Sequence, residues 1–586
     1  MQNLNSSPFN HVLHSNYTPS CKEIKTIKNL ILEPEERVRL LKEEIVQLQG
    51  FIDSHRALLA PARRLPRDII VEIFLHCLPT DRLPARSVKE APLLLTTICR
   101  QWRDVALDTP RLWRAIHFAF PRIIGYTLDD TFRNMFRAWK EGLQRWLGRA
   151  RSVPVTISYV MRPRIDKYVP QIFRQELEGM CLQLMDILTH YRLQWKSLYL
   201  QHLPIGTLSS FRNIKGSDAP LLDTLFLHYD DRDLRDILDE WPVRQASDYP
   251  FLDIARLPSI RALHIGNDFI DPFLLPICWN KLIELQMRIT EYFDTINAYD
   301  VMYTLSRRCR SLRKCQLGLF AAYFPDAYHR PAQKWDTLTE LDLSLPYLHP
   351  ESISSMCWKT FFNLFTAPNL SRLTIHVRHG GRAAPFQIEE APFLGLLTRS
   401  NCRITHLDLD MRLSDKALIE CLQWMPSLTS LHASHVVRQN AFMTDYGELW
   451  TIQQHLPLFT HYFFESLIPS EDNVLCPRLE TLSLKYCGLD RAEDICRLAQ
   501  ARSGQDQTVR LRSISVTVQT DTSEGPTTEQ LEGAQLLKDA GAEVIWYSNT
   551  FDEKSYIDYS AKRDPLLNPF VNTTPTAGMP DLLGEY

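Results

Sequence analysis

An α/β fold is predicted for this 586-residue chain: helices at the front, then a long solenoid of parallel strands with outer helices. Three observations predict it. The pattern apolar-x-x-apolar-x-apolar recurs eleven times, mostly 22 to 38 residues apart and once about 50. Many copies share a preface, as in APLLDTL, LPSIRAL, APNLSRL, MPSLTSL and CPRLETL. Ahead of the repeats, apolar residues instead fall at steps of three and four, which is helical spacing.

Composition narrows the function class. At 45% hydrophobic the chain can bury a large core, and its length exceeds one ordinary compact domain. Net charge is −3 with both signs mixed, so nothing points to nucleic acid or a membrane surface. Thirteen cysteines are scattered with no CxxC pair, against a zinc module or disulfide framework and in keeping with a reducing interior. Asn-x-Ser/Thr triplets occur at Asn5, Asn16, Asn369 and Asn572, but no secretory signal or 18-residue apolar run accompanies them. The expectation is an intracellular protein, in cytoplasm, nucleus or both, with no cofactor and no metal.

Residues 1–23 are polar and expected to be disordered. Residues 24–60 carry a heptad through Ile24, Ile27, Ile31, Val38, Leu41, Ile45, Leu48 and Ile52. Pro34, followed by Glu35 and Glu36, is expected to interrupt it and restart a helix. Two heptads before the proline and three after are short for an independent coiled coil. The leader therefore packs on the following helices or forms a dimer seam. In residues 61–118, LPRDIIVEIFLHCLP places Leu65, Ile69, Ile70, Ile73, Phe74 and Leu78 on one helical stripe. Pro66 and Asp68 suit the helix start, and Pro79 ends the run. A second segment puts Leu95, Ile98, Trp102 and Val105 on one face; Leu112 and Trp113 follow. A unit of about 50 residues buries little surface alone, so part of this stripe must rest on a neighbour or a partner.

This stretch resembles the F-box, the small helical module by which a substrate-recognition subunit plugs into a Skp-type adaptor of a cullin ubiquitin ligase. The matching residues are Leu65, Pro66, Asp68, Ile69, Ile73 and Leu78, then Ile98, Cys99, Trp102, Arg103, Leu112 and Trp113. The resemblance implies adaptor binding through Leu65, Pro66, Ile69, Ile73, Phe74, Leu78, Ile98, Trp102, Leu112 and Trp113. The link TDRLPARSVKE departs from it, being long and polar where many F-boxes have a short hydrophobic connection. The heptad-rich leader is similar to that of large fungal F-box families.

Residues 119–194 should cap the repeats: a helical stripe through Phe132, Phe136, Trp139, Leu143 and Trp146, then a strand in RSVPVTISYV. Residues 195–547 form the repeats, a period that signifies an irregular leucine-rich-repeat solenoid. The last two apolar residues of each pattern lie two apart, so on a strand both point into the core. The residue between them points to the concave face. These are Tyr199, Phe226, His264, Gln286, Gln316, Asp342, Thr374, Asp408, His432, Ser483 and Ser515. From Tyr199 to Ser483 they are the candidate target-binding residues. The Asn or Cys expected three residues after the last Leu appears only as Cys487, which predicts an uneven hydrogen-bond ladder. Asp230, Thr290, Pro346 and Arg378 take that position elsewhere. Residues 438–473 form an insertion whose aromatics should pack a helix. A final helix and strand cap the array, and residues 548–586 are expected to be disordered.

No phosphate loop, HExxH or GxSxG is present. His376, His379, Gly380 and Gly381 read as a polar loop, and HYDDRD from His228 as a helix start. The chain is accordingly expected to be non-catalytic: a substrate receptor of a Skp/cullin/F-box-type ligase that binds the adaptor, through it a cullin, and an unknown target protein. The alternative is a scaffold or interaction protein with a degenerate F-box.

Overall fold

Among the described residues, fourteen strands pair side by side in one sheet, in chain order and every pair parallel. The computed structural model describes residues 7–548 except 121–127, 162–170, 230–253, 267–276, 290–296, 320–323, 325–329, 346–353, 378–387, 435–441, 444–448, 451–458, 504–508, 521–527 and scattered shorter stretches. Two units are distinguished, Met1–His76 and Cys77–Tyr586.

The first unit holds helices α1, Cys21–Leu59, and α2, Arg67–His76. Residues 7–15, within the stretch expected to be disordered, form turns closed by the N–H groups of Asn10, Val12 and Ser15. The α1 helix starts three residues earlier than the heptad suggested because Ser20 and Glu23 make a reciprocal capping box. Glu23 N donates to Ser20 Oγ at 3.5 Å, and Ser20 N donates to the Glu23 carboxylate at 2.8 Å. Pro34 does not interrupt α1, which runs 39 residues through it. A proline removes one i→i−4 bond, and the good helix formers around it carry the helix past the gap.

The second unit is a repeat solenoid of parallel strands and outer helices. Its sheet contains β1 (Ala115–Ala119), β2 (Val155–Val160), β3 (Trp195–Leu203), β4 (Thr224–Tyr229), β5 (Ala262–Gly266), β6 (Glu284–Ile289) and β7 (Lys314–Leu319). After the short β8 (Gln333–Lys334) come β9 (Glu340–Leu345), the short β10 (Phe365–Thr366), β11 (Arg372–Val377), β12 (His406–Asp410) and β13 (Ser430–Ser434). The short antiparallel β14 (Phe442–Met443) and β15 (Leu449–Trp450) precede β16 (Thr481–Lys485), β17 (Ser513–Thr520) and β18 (Glu543–Ser548). Helices α3 (Leu95–Ile98), α4 (Arg100–Leu107), α5 (Asp130–Arg149) and α6 (Gln171–His190) come first. They are followed by α7 (Ala298–Arg308), α8 (Ser354–Phe362), α9 (Leu394–Ser400), α10 (Asp415–Gln423), α11 (His461–Leu467), α12 (Ala492–Ala501) and α13 (Thr528–Asp539).

All eleven sequence repeats land on these strands in one register. Leu198, Leu225, Leu263 and Leu285 face each other across β3 to β6, and Leu200, Leu227, Ile265 and Met287 form the parallel inner row. Both rows are buried, and each fully buried Leu contributes roughly 1.5–3 kcal/mol. The sheet nevertheless begins earlier than residue 195. β1 and β2 belong to it, because Trp113-x-x-Ile116-x-Phe118 is itself a copy of the repeat, in register with Ile157 and Tyr159. At the other end α13 and β18 follow the expected helix-then-strand order. Gly541 turns the chain between them at φ +84°, a value that favours glycine, with Ala542 N bonded to Leu537 O.

At the opposite end of four middle strands the repeats carry a run of side-chain hydroxyl bonds. Thr339, Ser371, Thr405 and Thr429 stand just before β9, β11, β12 and β13. Each hydroxyl donates to the carbonyl of the residue one repeat back: Arg313, Thr339, Ser371 and Thr405, at 3.0, 3.1, 3.0 and 2.8 Å. Each hydroxyl adds to the backbone N–H bond that the same carbonyl accepts from the same residue. Thr405→Val keeps shape and β-propensity but removes one donor. It should lower stability by about 1 kcal/mol, read from the urea midpoint.

Two buried ions fasten the insertion at residues 438–473. The Asp415 carboxylate, at the start of α10, accepts from Phe459 N at 3.1 Å, Thr460 N at 2.8 Å and Thr460 Oγ1 at 2.5 Å. The Arg502 guanidinium, 1% exposed, donates to Leu467 O at 3.0 and 2.9 Å, to Cys476 O at 3.0 Å and to Leu475 O at 2.6 Å. Between them α11 buries Phe463, Phe464 and Leu467, the expected packed helix.

Candidate interaction surfaces

In the first unit the stripe of α2 divides by burial. Ile70 and Phe74 are buried, whereas Ile69 is 49% and Ile73 39% exposed. Leu65 is half-buried and Pro66 exposed at the entrance to the helix. Phe74, expected to touch a partner, is therefore a core residue. It lies four residues after Ile70, so the two project from the same side of the helix.

In the second unit Leu78 is half-buried, and the polar link 80–90 is held in place instead of looping free. Glu90 accepts from Arg82 and from Ala85 N, Ala85 bridges in parallel to His117, and His117 N donates to Pro84 O at 2.8 Å. Arg86 reaches Trp139 O on α5 beside Gly142, where any added Cβ would lie 2.2 Å from the guanidinium carbon. Further on, Ile98 is 53% exposed at the end of α3, Trp102 is half-buried on α4, and Leu95 is buried. The sulfur of Cys99 caps α4, accepting from Trp102 N at 3.5 Å.

Leu112 and Trp113, two further expected adaptor contacts, are fully buried. Trp113 Nε1 donates to Ala106 O at 2.8 Å, and Trp146 of α5 packs edge-on to its ring at 4.9 Å. Trp146 Nε1 donates in turn to Trp113 O, and the Arg149 guanidinium lies 4.4 Å above the Trp113 ring. These residues join α4 to the first strand. A partner could reach neither without unfolding that joint.

The residues between the inner rows stand opposite one another across the sheet, extended at one end by His117 and Ser158. They differ in access. Phe226 (1%), Gln286 (4%) and Ser483 (8%) are buried, so they do not present themselves to a target. Phe226 lies between the rings of Tyr199 and His264, at 6.2 and 5.7 Å between centroids. Burial, more than the Glu284 and Asp223 charges, raises the Tyr199 hydroxyl above its usual range. Gln316, Asp342, Thr374, Asp408 and His432 keep part of their surface in solvent. Tyr199, His264 and Ser515 are likewise partly exposed, and the longest uninterrupted accessible run of this face goes from β7 to β13.

The flanking positions on the same face were not read from the sequence as functional. Glu284, Lys314, Glu340, Arg372 and His406 form one cross-strand row. His264 Nε2 bonds Glu284 at 3.2 Å and, as the main cause, holds its carboxyl below the usual range. Lys314 and Glu340 pair at 3.3 Å, and burial together with the Arg372 charge lowers His406. On the other side His376 lies 3.9 Å from Asp410, which accepts from Ser434 Oγ. His376 therefore belongs to strand β11 and not to a polar loop; His379, Gly380, Gly381 and the DDRD run lie outside the described residues. Period-2 alternation exposes these positions in principle, but only the register shows that signs alternate from strand to strand.

No cluster of three or more His, Cys, Asp or Glu with metal-binding geometry occurs among the described residues, and no described helix is long and apolar enough to cross a membrane. Burial pushes the thiols of Cys181, Cys309, Cys476 and Cys487 up to about 12, which keeps them protonated as core residues.

No family model matches the chain, and no curated protein matches it. Among solved structures, the crystal structure of the Rad7 and Elc1 complex in yeast is similar over 87% of this chain and 97% of that one, at 14% identity and a TM-score of 0.32.

Proposed function

We propose that this chain is the substrate-recognition subunit of a Skp/cullin/F-box-type ubiquitin ligase, its F-box holding the adaptor and its leucine-rich repeats holding a target protein. The carrying observation is that Ile69, Ile73 and Ile98 stand in solvent within the F-box-like stretch. Apolar side chains so placed in a short helical stretch are what a docking partner would cover. Leu65 and Pro66 of the first unit and Leu78 and Trp102 of the second complete the set, while Phe74 is buried in the one and Leu112 and Trp113 in the other. The target surface is the accessible stretch from Gln316 to His432, whose alternating charges suit a polar protein surface. The chain would contribute positioning and no bond-making step of its own.

The test is affinity purification of the tagged full-length chain, probing for the endogenous Skp-type adaptor and cullin. Both should co-purify, and the Leu65→Ala/Pro66→Ala variant should recover at least about tenfold less adaptor, as for loss of hot-spot contacts. Equal recovery from that variant would overturn the assignment. Adaptor recovered without any cullin would favour the scaffold reading.

A further inference from the structure

We infer that α1 pairs with α1 of a second copy of this chain as an antiparallel coiled coil. The helix spans 39 residues, about 58 Å at ~1.5 Å per residue. With Pro34 counted, Ile24, Ile27, Ile31, Pro34, Val38, Leu41, Ile45, Leu48, Ile52, His55 and Leu59 continue one 3–4 repeat from end to end. Much of that seam lies in water: Ile31 is 43% exposed, Val38 49%, Leu41 43%, Ile45 59% and Leu48 56%. A soluble helix does not keep an apolar row of that length uncovered.

The residues flanking the seam identify the occupant and its direction. An antiparallel register that sets position 38 against 41 of the other copy overlaps the two helices almost completely. It places Arg37 beside Glu44 and Glu35 beside Lys42 of the second copy, each pair occurring twice by symmetry. The same register brings Leu30 (42% exposed) against Phe51 (63% exposed), so the apolar flanking residues also meet. A parallel pair would set Arg37 beside Lys42, Leu30 beside Glu35, and proline against proline at the centre. Among the described residues, none of Glu35, Arg37, Lys42 and Glu44 has an ion-pair partner, whereas Arg39 on the outer face is held by Glu36 and Glu43 of its own helix. The charges that match across the seam are the ones left unpaired within it.

The experiment is sedimentation equilibrium of the full-length chain, with substitutions confined to exposed α1 positions so that folding is undisturbed. The unmodified chain should sediment as a dimer. Leu41→Asp/Leu48→Asp should give a monomer with unchanged circular dichroism outside α1. Arg37→Glu should raise the dimer dissociation constant about five- to thirtyfold, because two attractive pairs become repulsive, and adding Glu44→Arg should restore it. In a parallel dimer Arg37→Glu would instead tighten association by meeting Lys42, and that outcome would overturn the orientation. A monomer at every concentration, with the helix covered by its own chain or by another protein, would overturn the proposal as a whole. None of these readings depends on adaptor binding.

Discussion

Replacing Trp113 by Ala should destabilise the second unit by about 3–5 kcal/mol, the range for removing a fully buried tryptophan. The ring is 0% exposed, stacks edge-on against Trp146, lies under Arg149 and donates to Ala106 O. Its loss leaves a cavity at the joint between α4 and β1 and removes one of the donors to Ala106 O, which keeps its bond from Thr109 N. Ile98→Asp, at a 53% exposed site fifteen residues upstream, should change stability by less than about 0.5 kcal/mol while removing adaptor binding. The measurements are urea-unfolding midpoints and adaptor recovery for each variant. A Trp113→Ala shift below about 1 kcal/mol would show that the residue is not the core element described. A stable Ile98→Asp chain that still binds adaptor would remove that isoleucine from the docking surface.

The second large effect is expected at Arg502. Its guanidinium serves Leu467 O, Leu475 O and Cys476 O at once, and burial pulls it below the usual arginine range without discharging it. Arg502→Met fills similar space but leaves three buried carbonyls without this donor. Cys476 O keeps its bond from Leu479 N, so two carbonyls are left unsatisfied, and at roughly 1–3 kcal/mol each a total near 2–6 kcal/mol is expected. Arg502→Lys should recover only part of this, because an ammonium lacks the planar fork that spans three carbonyls. Protease sensitivity confined to residues 438–473 in the Met variant would locate the damage. Wild-type resistance there, with an unchanged unfolding midpoint, would mean the insertion is held by other contacts.

Asp415 and Arg502 also show where sequence reading stops. A single Asp at the start of a helix is ordinary cap chemistry, and a single Arg near the end of one is ordinary dipole chemistry. Nothing local marks these two as the buried ions that fasten an insertion, 44 and 35 residues from Phe459 and Leu467 respectively. The hydroxyl ladder was legible in principle, since Thr339, Ser371, Thr405 and Thr429 recur at one place in the repeat. A lone hydroxyl before a strand does not name the carbonyl it meets; the pairing of neighbouring repeats does.

By itself the sequence determined the repeat: each leucine pair, the residue between them, and the strand that carries both, from β3 to β17. It did so because side chains alternate with period two along a strand, and one face must be apolar wherever it covers a core. It also determined the seam of α1. Only the tertiary structure decided which members of an apolar stripe are buried and which remain available. Phe74 and Trp113 went inward while Ile69 and Ile98 stayed in water, and Phe226 was closed off between its neighbours while Gln316 was not. Periodicity assigns a side chain to a face of its own element; what covers that face is set by segments distant in the chain.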